Sequence, residues 1–390
     1  MSDLPDYRLD VIALDDPYPF YRRLRDEDPA HYSRAEDLWV LTRYEDCHAA
    51  FNDWRTWSSF GRGNLINDLP DRIGKTLGTS DPPRHTFARS LVNRAFTPRT
   101  VARLESTIRK LARELASKAA ERGTIEFASE ISAPFNAGIL GAMFGLPDGE
   151  FLRLRRWLDD FFLRDKPEPG RESRQAIAMR ELHGYLGALA AEHIDHPTDD
   201  LMSAMIDAEQ DGQKLDQEQV VVTTMTFLTA GFESTNNCFT NLTYALALHP
   251  ELLDVVRQHP DRISDFIEEG IRWDAPAQGF VRSPTSDVEL HGKTIPAGAQ
   301  VVLHIGAANR DERRFSDPNR FELDRDDRHH VGFGQGVHFC VGAPLARTMA
   351  QVIFEELLAV SRRWEVDLVD AQRVTTPNFR GFARLPLTIR

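Results

Sequence analysis

The segment Phe333-Gly334-Gln335-Gly336-Val337-His338-Phe339-Cys340-Val341-Gly342 sets one cysteine among three glycines. Glycines at these places let the backbone take positive φ and lie close against a flat ligand. The next run, residues 343–358, has helical character. The sulfur therefore sits at or just before a helix N-terminus, where free N–H groups and the positive dipole end favour a thiolate. Such a thiolate is a metal ligand or a nucleophile. A zinc site would want further Cys or His at short spacing, and only His338 is close. The motifs that accompany a catalytic Cys–His pair are absent. A buried structural thiol is the commonest fate of a lone cysteine but leaves the glycines unexplained. A single axial thiolate on haem iron accounts for both.

A second constellation is Thr229-Ala230-Gly231-Phe232-Glu233-Ser234-Thr235-Asn236-Asn237, inside an apolar and threonine-rich run, residues 220–248. Unbroken, that run is a helix of about 29 residues, roughly 43 Å long at 1.5 Å per residue. Its apolar character nearly all round marks a helix buried on most sides. Glycine costs such a helix about 1 kcal/mol relative to alanine, and a carboxylate in a core is expensive unless partnered. The stretch reads either as a capped break between two helices or as a functional groove in a long one.

The cysteine loop resembles the haem-binding signature of the cytochrome P450 monooxygenases, Phe-Gly-x-Gly-x-His-x-Cys-x-Gly, at every defined position. Three further motifs stand in the family's order. Glu269-Gly270-Ile271-Arg272 is similar to its Glu-x-x-Arg pair, which shares a helix face at i and i+3. In the family this pair closes a network with the arginine of a Pro-x-Arg-Phe segment, here Pro318-Asn319-Arg320-Phe321. Asp81-Pro82-Pro83-Arg84-His85-Thr86-Phe87-Ala88-Arg89 opens a helix that carries His85 and Arg89 at i and i+4. Ala230-Gly231-Phe232-Glu233-Ser234 resembles the oxygen-activation groove, with Ser234 where threonine is commoner and Thr235 next to it.

The resemblance implies haem b (iron protoporphyrin IX) with Cys340 as its axial metal ligand and O2 as co-substrate. It implies His85, Arg89, Arg282 and His338 as donors to the two propionates, since anions in a poorly solvated site need cationic partners. Phe333, Gly334, Gly342 and Ala230 are implied to line the cofactor. The implied reaction is RH + O2 + 2e⁻ + 2H⁺ giving ROH + H2O, with O-demethylation when the carbon bears a methoxy oxygen. Cleaving the O–O bond consumes two protons, which an acid and an alcohol can relay while apolar walls exclude bulk water. Glu233, Ser234, Thr235 and Gly231 are the catalytic residues so implied, Gly231 by permitting close approach of dioxygen.

The chain lacks Gly-x-Gly-x-x-Gly, so the electrons are expected from a separate ferredoxin and ferredoxin reductase. Arg84, Arg89, Arg94, Arg99, Arg103 and Arg347 are candidates for a basic docking face. The expected substrate is a small or medium apolar molecule, walled by the region before His85, residues 157–166, the central helix and residues 277–280. Phe161, Phe162, Phe232 and Phe280 are candidate aromatic walls. A peroxide-driven peroxygenase is the nearest alternative, though that class typically has Arg and Pro in place of the acid and alcohol. A non-catalytic haem sensor would need no relay at all.

The elements that must position these residues read as mainly helical. Residues 91–120 and 252–273 carry apolar positions spaced by three and four. Strand signals are short: residues 37–42, then 288–295 and 300–305 across the turn Pro296-Ala297-Gly298. The chain has 390 residues and a net charge of −13. That acidic balance argues against nucleic acid or an anionic membrane as partner. No internal repeat and no Gly/Ser linker appears, and the richest turn region near the middle, residues 164–170, has the length of a surface loop. The expectation is an α+β chain, mainly α with small β sheets: one cytochrome P450 domain over residues 1–390, haem buried between a long central helix and a Cys-bearing loop and helix. The three separated cysteines and the absence of an apolar N-terminal run point to the cytoplasm.

Overall fold

The apolar run in the middle of the chain forms one uninterrupted helix, Gln217–Leu248, of 32 residues. The capped break that Gly231 and Asn236-Asn237 suggested does not occur. This is a computed structural model that describes residues 4–66, 72–147, 149–161 and 172–390, with the side chains of residues 98, 99, 101 and 151 also outside the description. The expected loop at 164–170 and the candidate wall residue Phe162 lie outside the described residues, as does the Arg99 side chain.

Two expected helices are each divided. Residues 91–120 belong to Arg84–Ala95 and Pro98–Arg122. The Thr97 side chain accepts from the Thr100 N–H, and Pro98 opens the second helix, where its missing N–H costs nothing. Residues 252–273 divide into Pro250–Gln258 and Ile263–Trp273, with Pro260 starting a short 3-10 turn between them.

The β portion is small. One sheet runs Ala30–Ser33, Leu38–Leu41, Val301–Leu303, Phe280–Pro284, Trp57–Ser58. Only the Leu38–Leu41 and Val301–Leu303 neighbours are parallel. The expected strand at 288–295 is instead a hairpin, Val288–Leu290 with Lys293–Ile295. His291 and Gly292, both at positive φ, supply the tight turn. Phe280–Pro284 was not anticipated, because Phe-Val-Arg-Ser-Pro has no alternation.

Contacts divide the chain into two compact units. The first comprises Met1–His85, Thr240–Cys340 and Ala371–Ala383. Tyr21, Leu24, Val40, Val281 and Val302 lie in its apolar core. A buried polar hub fixes its central segments: the Asp274 carboxylate accepts from Arg380 Nε at 2.8 Å, Tyr18 OH at 2.7 Å and Arg373 at 3.3 Å. Burial alone would push that carboxyl up, but Arg380 and Arg373 outweigh it and hold Asp274 below its ordinary range.

The second unit comprises Thr86–Phe239, Val341–Asp370 and Arg384–Arg390. Helices Pro98–Arg122 and Ala343–Val360 pack along one another, with Arg109 reaching both Glu355 and Glu356. A three-stranded sheet of Trp364–Val366, Pro386–Ile389 and Thr124–Glu126 ties the chain's last residues to this unit.

Candidate active site

In the first unit the Cys340 loop is held by its own backbone. The Cys340 N–H donates to Phe333 O at 2.9 Å, closing the loop between the first and the eighth residue of the motif. Gly334 and Gly336 both have positive φ. At Gly336 a Cβ would stand 2.6 Å from Phe51 O, so this glycine is required twice, by conformation and by close approach. Gly342 caps the helix Ala343–Val360, which puts Cys340 two residues before the cap.

The same unit gathers three of the four expected propionate donors or their neighbours. His85 is buried, its ring 4.3 Å from that of His338. Ser59 Oγ lies 3.2 Å from His338 Nε2, and the Ser59 N–H donates to Asp81. Asp81 also exerts the charge felt by Arg282. Arg282 is 3% exposed, donates to Val281 O at 2.8 Å and lies over the Phe51 ring. Among the described residues no carboxylate comes within ion-pair distance of it, and burial pulls the guanidinium down to about 10. A buried cation answered by a single carbonyl is a site for an anion. Arg89, in the second unit, donates to Asn93 at 3.1 Å.

Glu269 and Arg272 form the expected pair, bidentate at 2.7 Å on both contacts and nearly fully buried. The third member differs from expectation. Arg325, not Arg320, brings its Nε to the Glu269 carboxylate, at 3.2 and 3.3 Å. Arg320 is exposed and contributes only its carbonyl, which accepts from Arg272 and Arg325. The reason is local: Arg325 is 6% exposed and faces the buried carboxylate, whereas the Arg320 side chain leaves the turn toward solvent.

In the second unit the central helix presents the acid–alcohol pair. Ser234 Oγ donates to Ala230 O at 2.7 Å, the i−4 back-bond open to a helical serine. Asn237 donates to Glu233 Oε1 at 3.1 Å. Burial pushes the Glu233 carboxyl up to about 7; the Asn237 amide opposes the rise and the Asp159 charge adds to it. Thr235 is buried. A Cβ on Gly231 would meet Leu140 Cδ2 at 3.2 Å, so the constraint visible at this glycine is packing against helix Ala133–Met143.

The model of one protein family, cytochrome P450, matches residues 29–390. The chain belongs to the cytochrome P450 family. The putative cytochrome P450 123 of Mycobacterium tuberculosis is 33% identical and aligns over 99% of this chain and 98% of its own. The 6-deoxyerythronolide B hydroxylase of Saccharopolyspora erythraea is 30% identical, over 100% of each chain. Among solved structures, cytochrome P450 CYP109Q5 from Chondromyces apiculatus is similar at a TM-score of 0.89 and 31% identity, covering 98% of this chain and 99% of its own. CYP109E1 from Bacillus megaterium, solved in complex with corticosterone, reaches 0.87 at 27% identity, covering 96% and 98%.

As a cytochrome P450 the chain is a monooxygenase with the mainly helical fold of its family, which carries a haem-thiolate cofactor and uses O2. The residues present fit that group. Arg282 is the buried cation that a haem propionate would neutralise, and the glycines of the cysteine loop leave room for close approach. Among the described residues no helix is long and apolar enough to cross a membrane.

Several residues now evident around these centres were not read from the sequence. Ser59 and Arg325 carry no local motif, Asp81 stood in one without a role, and their partners are 22 to 279 residues away. Asn136 is a fourth. It is a buried amide in an otherwise apolar helix, and that mismatch was the only signal available.

Proposed function

We propose that the chain inserts one oxygen atom into a small or medium apolar molecule, by hydroxylation or O-demethylation, drawing electrons from a separate ferredoxin and reductase. The observation that carries this reading is the adjacency, on one turn of the central helix, of a buried carboxyl pushed up to about 7 and a hydroxyl. Apolar substrates of steroid or lactone type are supported by the corticosterone-bound relative and by the 6-deoxyerythronolide B hydroxylase.

In this reading Cys340 ligates the haem iron, and the bound haem supplies activation of dioxygen. His85, Arg89, Arg282 and His338 hold the propionates. Phe333, Gly334, Gly342 and Ala230 line the macrocycle. Glu233 releases its proton at the carboxyl, and Ser234 Oγ passes it on by exchanging its back-bond to Ala230 O for a donor role toward the substrate oxygen. A carboxyl near 7 is matched to this task, since it can both give a proton and recover one from solvent at neutral pH.

The match of the family model to residues 29–390 supports reading residues 1–390 as one functional domain, in the cytoplasm. Turnover of a steroid and macrolactone panel with a surrogate ferredoxin and reductase tests the proposal. Oxygenated product that depends on the reductase supports it. Product formed equally well from hydrogen peroxide alone favours the peroxygenase, and a haem protein that forms none with either favours the sensor.

A further inference from the structure

Ser132, Asn136 and Leu140 recur at four-residue spacing and meet the central helix as a stripe. Ser132 closes a single π-helical turn, Ala128–Ser132, that runs directly into helix Ala133–Met143. A π-turn inserts an extra residue and rotates the side chains beyond it about the helix axis, and such turns gather at functional sites. Beyond it, the α-helical i, i+4 spacing sets the Ser132 hydroxyl and the Asn136 amide on one face. Asn136 is 1% exposed. Its Nδ2 donates to Phe232 O at 2.9 Å, to Gly231 O at 3.1 Å and to Asn236 Oδ1 at 3.1 Å. Ser132 Oγ reaches the same Asn236 Oδ1 at 3.2 Å and Asn236 O at 3.4 Å. Leu140 fills the space beside Gly231.

The grip has a definite place. The two carbonyls taken by Asn136 immediately precede Glu233, and Asn236 comes directly after Thr235. The contacts therefore bracket the segment Glu233-Ser234-Thr235 on both sides and touch none of its side chains. In an α-helix those two carbonyls already accept from the N–H groups four residues on. A side-chain amide placed against both draws on their second lone pairs and fixes the tilt of the two peptide planes that lead into Glu233, one residue before Ser234. Nothing in ordinary helix packing calls for a buried amide at this point, where an aliphatic residue would pack without desolvation cost.

We propose that Asn136, backed by Ser132, is a positioning residue for proton delivery: it fixes the orientation of the Glu233–Ser234 pair from behind the central helix. The inference rests on the reading of that pair as the proton relay. Two electrons and two protons convert O2 to hydrogen peroxide, whereas four of each convert it to two waters. A relay out of position therefore diverts electrons to peroxide.

The test measures peroxide released per NADPH oxidised by the holoenzyme, driven by a surrogate ferredoxin–reductase pair without organic substrate and normalised to the ferrous–CO signal. Asn136→Val and Ser132→Ala are compared with Ser234→Ala and Glu233→Gln. Asn136→Val is expected to raise the peroxide-to-water ratio about three- to tenfold, the worth of one orienting hydrogen bond. Ser132→Ala should move it in the same direction, and Asn136→Val in a Ser234→Ala background should add nothing, as expected of residues acting through one another. A merely structural role would lower holoenzyme yield and leave the ratio alone. If Ser234→Ala and Glu233→Gln change the ratio while Asn136→Val and Ser132→Ala do not, or if the effects simply add, positioning is overturned and the relay stands. If no variant changes it, the relay reading fails and the proposal with it. Should Asn136→Val lose haem, Ser132→Ala, which removes one hydroxyl, decides alone.

Discussion

Asn237 donates its side-chain amide to the Glu233 carboxyl at 3.1 Å, one turn along the central helix. The bond favours the charged form, yet burial wins and the carboxyl is pushed up to about 7. The folded protein thus holds a proton on Glu233 that the unfolded chain releases nearer the ordinary value of 4.5.

Proton linkage turns this into a dependence of stability on pH. Between about pH 4.5 and 7 the native state binds more protons than the unfolded state, so stability falls as pH rises through this window and levels off above it. Glu233→Gln keeps the shape and an acceptor for Asn237 but removes the charge. It should be more stable than the wild type at pH 8, on the order of 1–2 kcal/mol, and nearly equal to it at pH 4. Denaturant midpoints at the two pH values check this. An equal or lower midpoint for Glu233→Gln at pH 8 would contradict it.

In the buried network around Glu269 the second cation is Arg325 and not the Arg320 that the segment 318–321 pointed to. Arg325→Leu leaves Glu269 with one cationic partner in a dry site and should destabilise by about 3–5 kcal/mol. Arg320→Ala keeps the carbonyl that matters and should stay within about 0.5 kcal/mol of wild type. Urea unfolding of both variants distinguishes the two roles, and a larger loss for Arg320→Ala would reverse them.

These residues also mark what the sequence made legible. Contiguous motifs were readable: the glycine-flanked cysteine, the i, i+3 pair Glu269–Arg272 and the acid–alcohol turn all stand within a few residues of their partners. The pairing of Arg325 with Glu269 was not, because the partner is 56 residues away and Arg325 stands outside the segment that singled out Arg320. The uninterrupted central helix could not be told from a broken one. Its glycine penalty is offset by Leu140 packing into the space beside Gly231 and by Asn136 binding the carbonyls there, and both come from another helix. The hairpin at 288–295 was hidden because its turn places His291, a residue with a side chain, at positive φ, where glycine is the usual signal.

Close packing at Gly231 gives a second-site test. Gly231→Val drives a branched side chain into Leu140 and should cost about 1–3 kcal/mol. Adding Leu140→Ala should recover part of that loss, so the double variant is less destabilised than the sum of the two single ones. Strict additivity in thermal unfolding would show that the two do not compete for space.

Charge reversal tests the docking face. Arg94 is exposed at the end of helix Arg84–Ala95, whereas Arg103 is already engaged by Asp199. Arg94→Glu should slow reduction by an acidic ferredoxin severalfold at low ionic strength and little at high salt, with Arg103→Glu having the smaller effect. Stopped-flow reduction at two salt concentrations gives the answer. Rates for Arg94→Glu that match wild type at low salt would remove it from the face.

The central claim is that Cys340 binds haem iron as a thiolate. It is tested most directly by the absorption spectrum of the dithionite-reduced protein under carbon monoxide, recorded beside Cys340→His. The account predicts a red-shifted, thiolate-type Soret band in the wild type that the substitution abolishes. A histidine-type band in the wild type, or the same red-shifted band in both proteins, would contradict it.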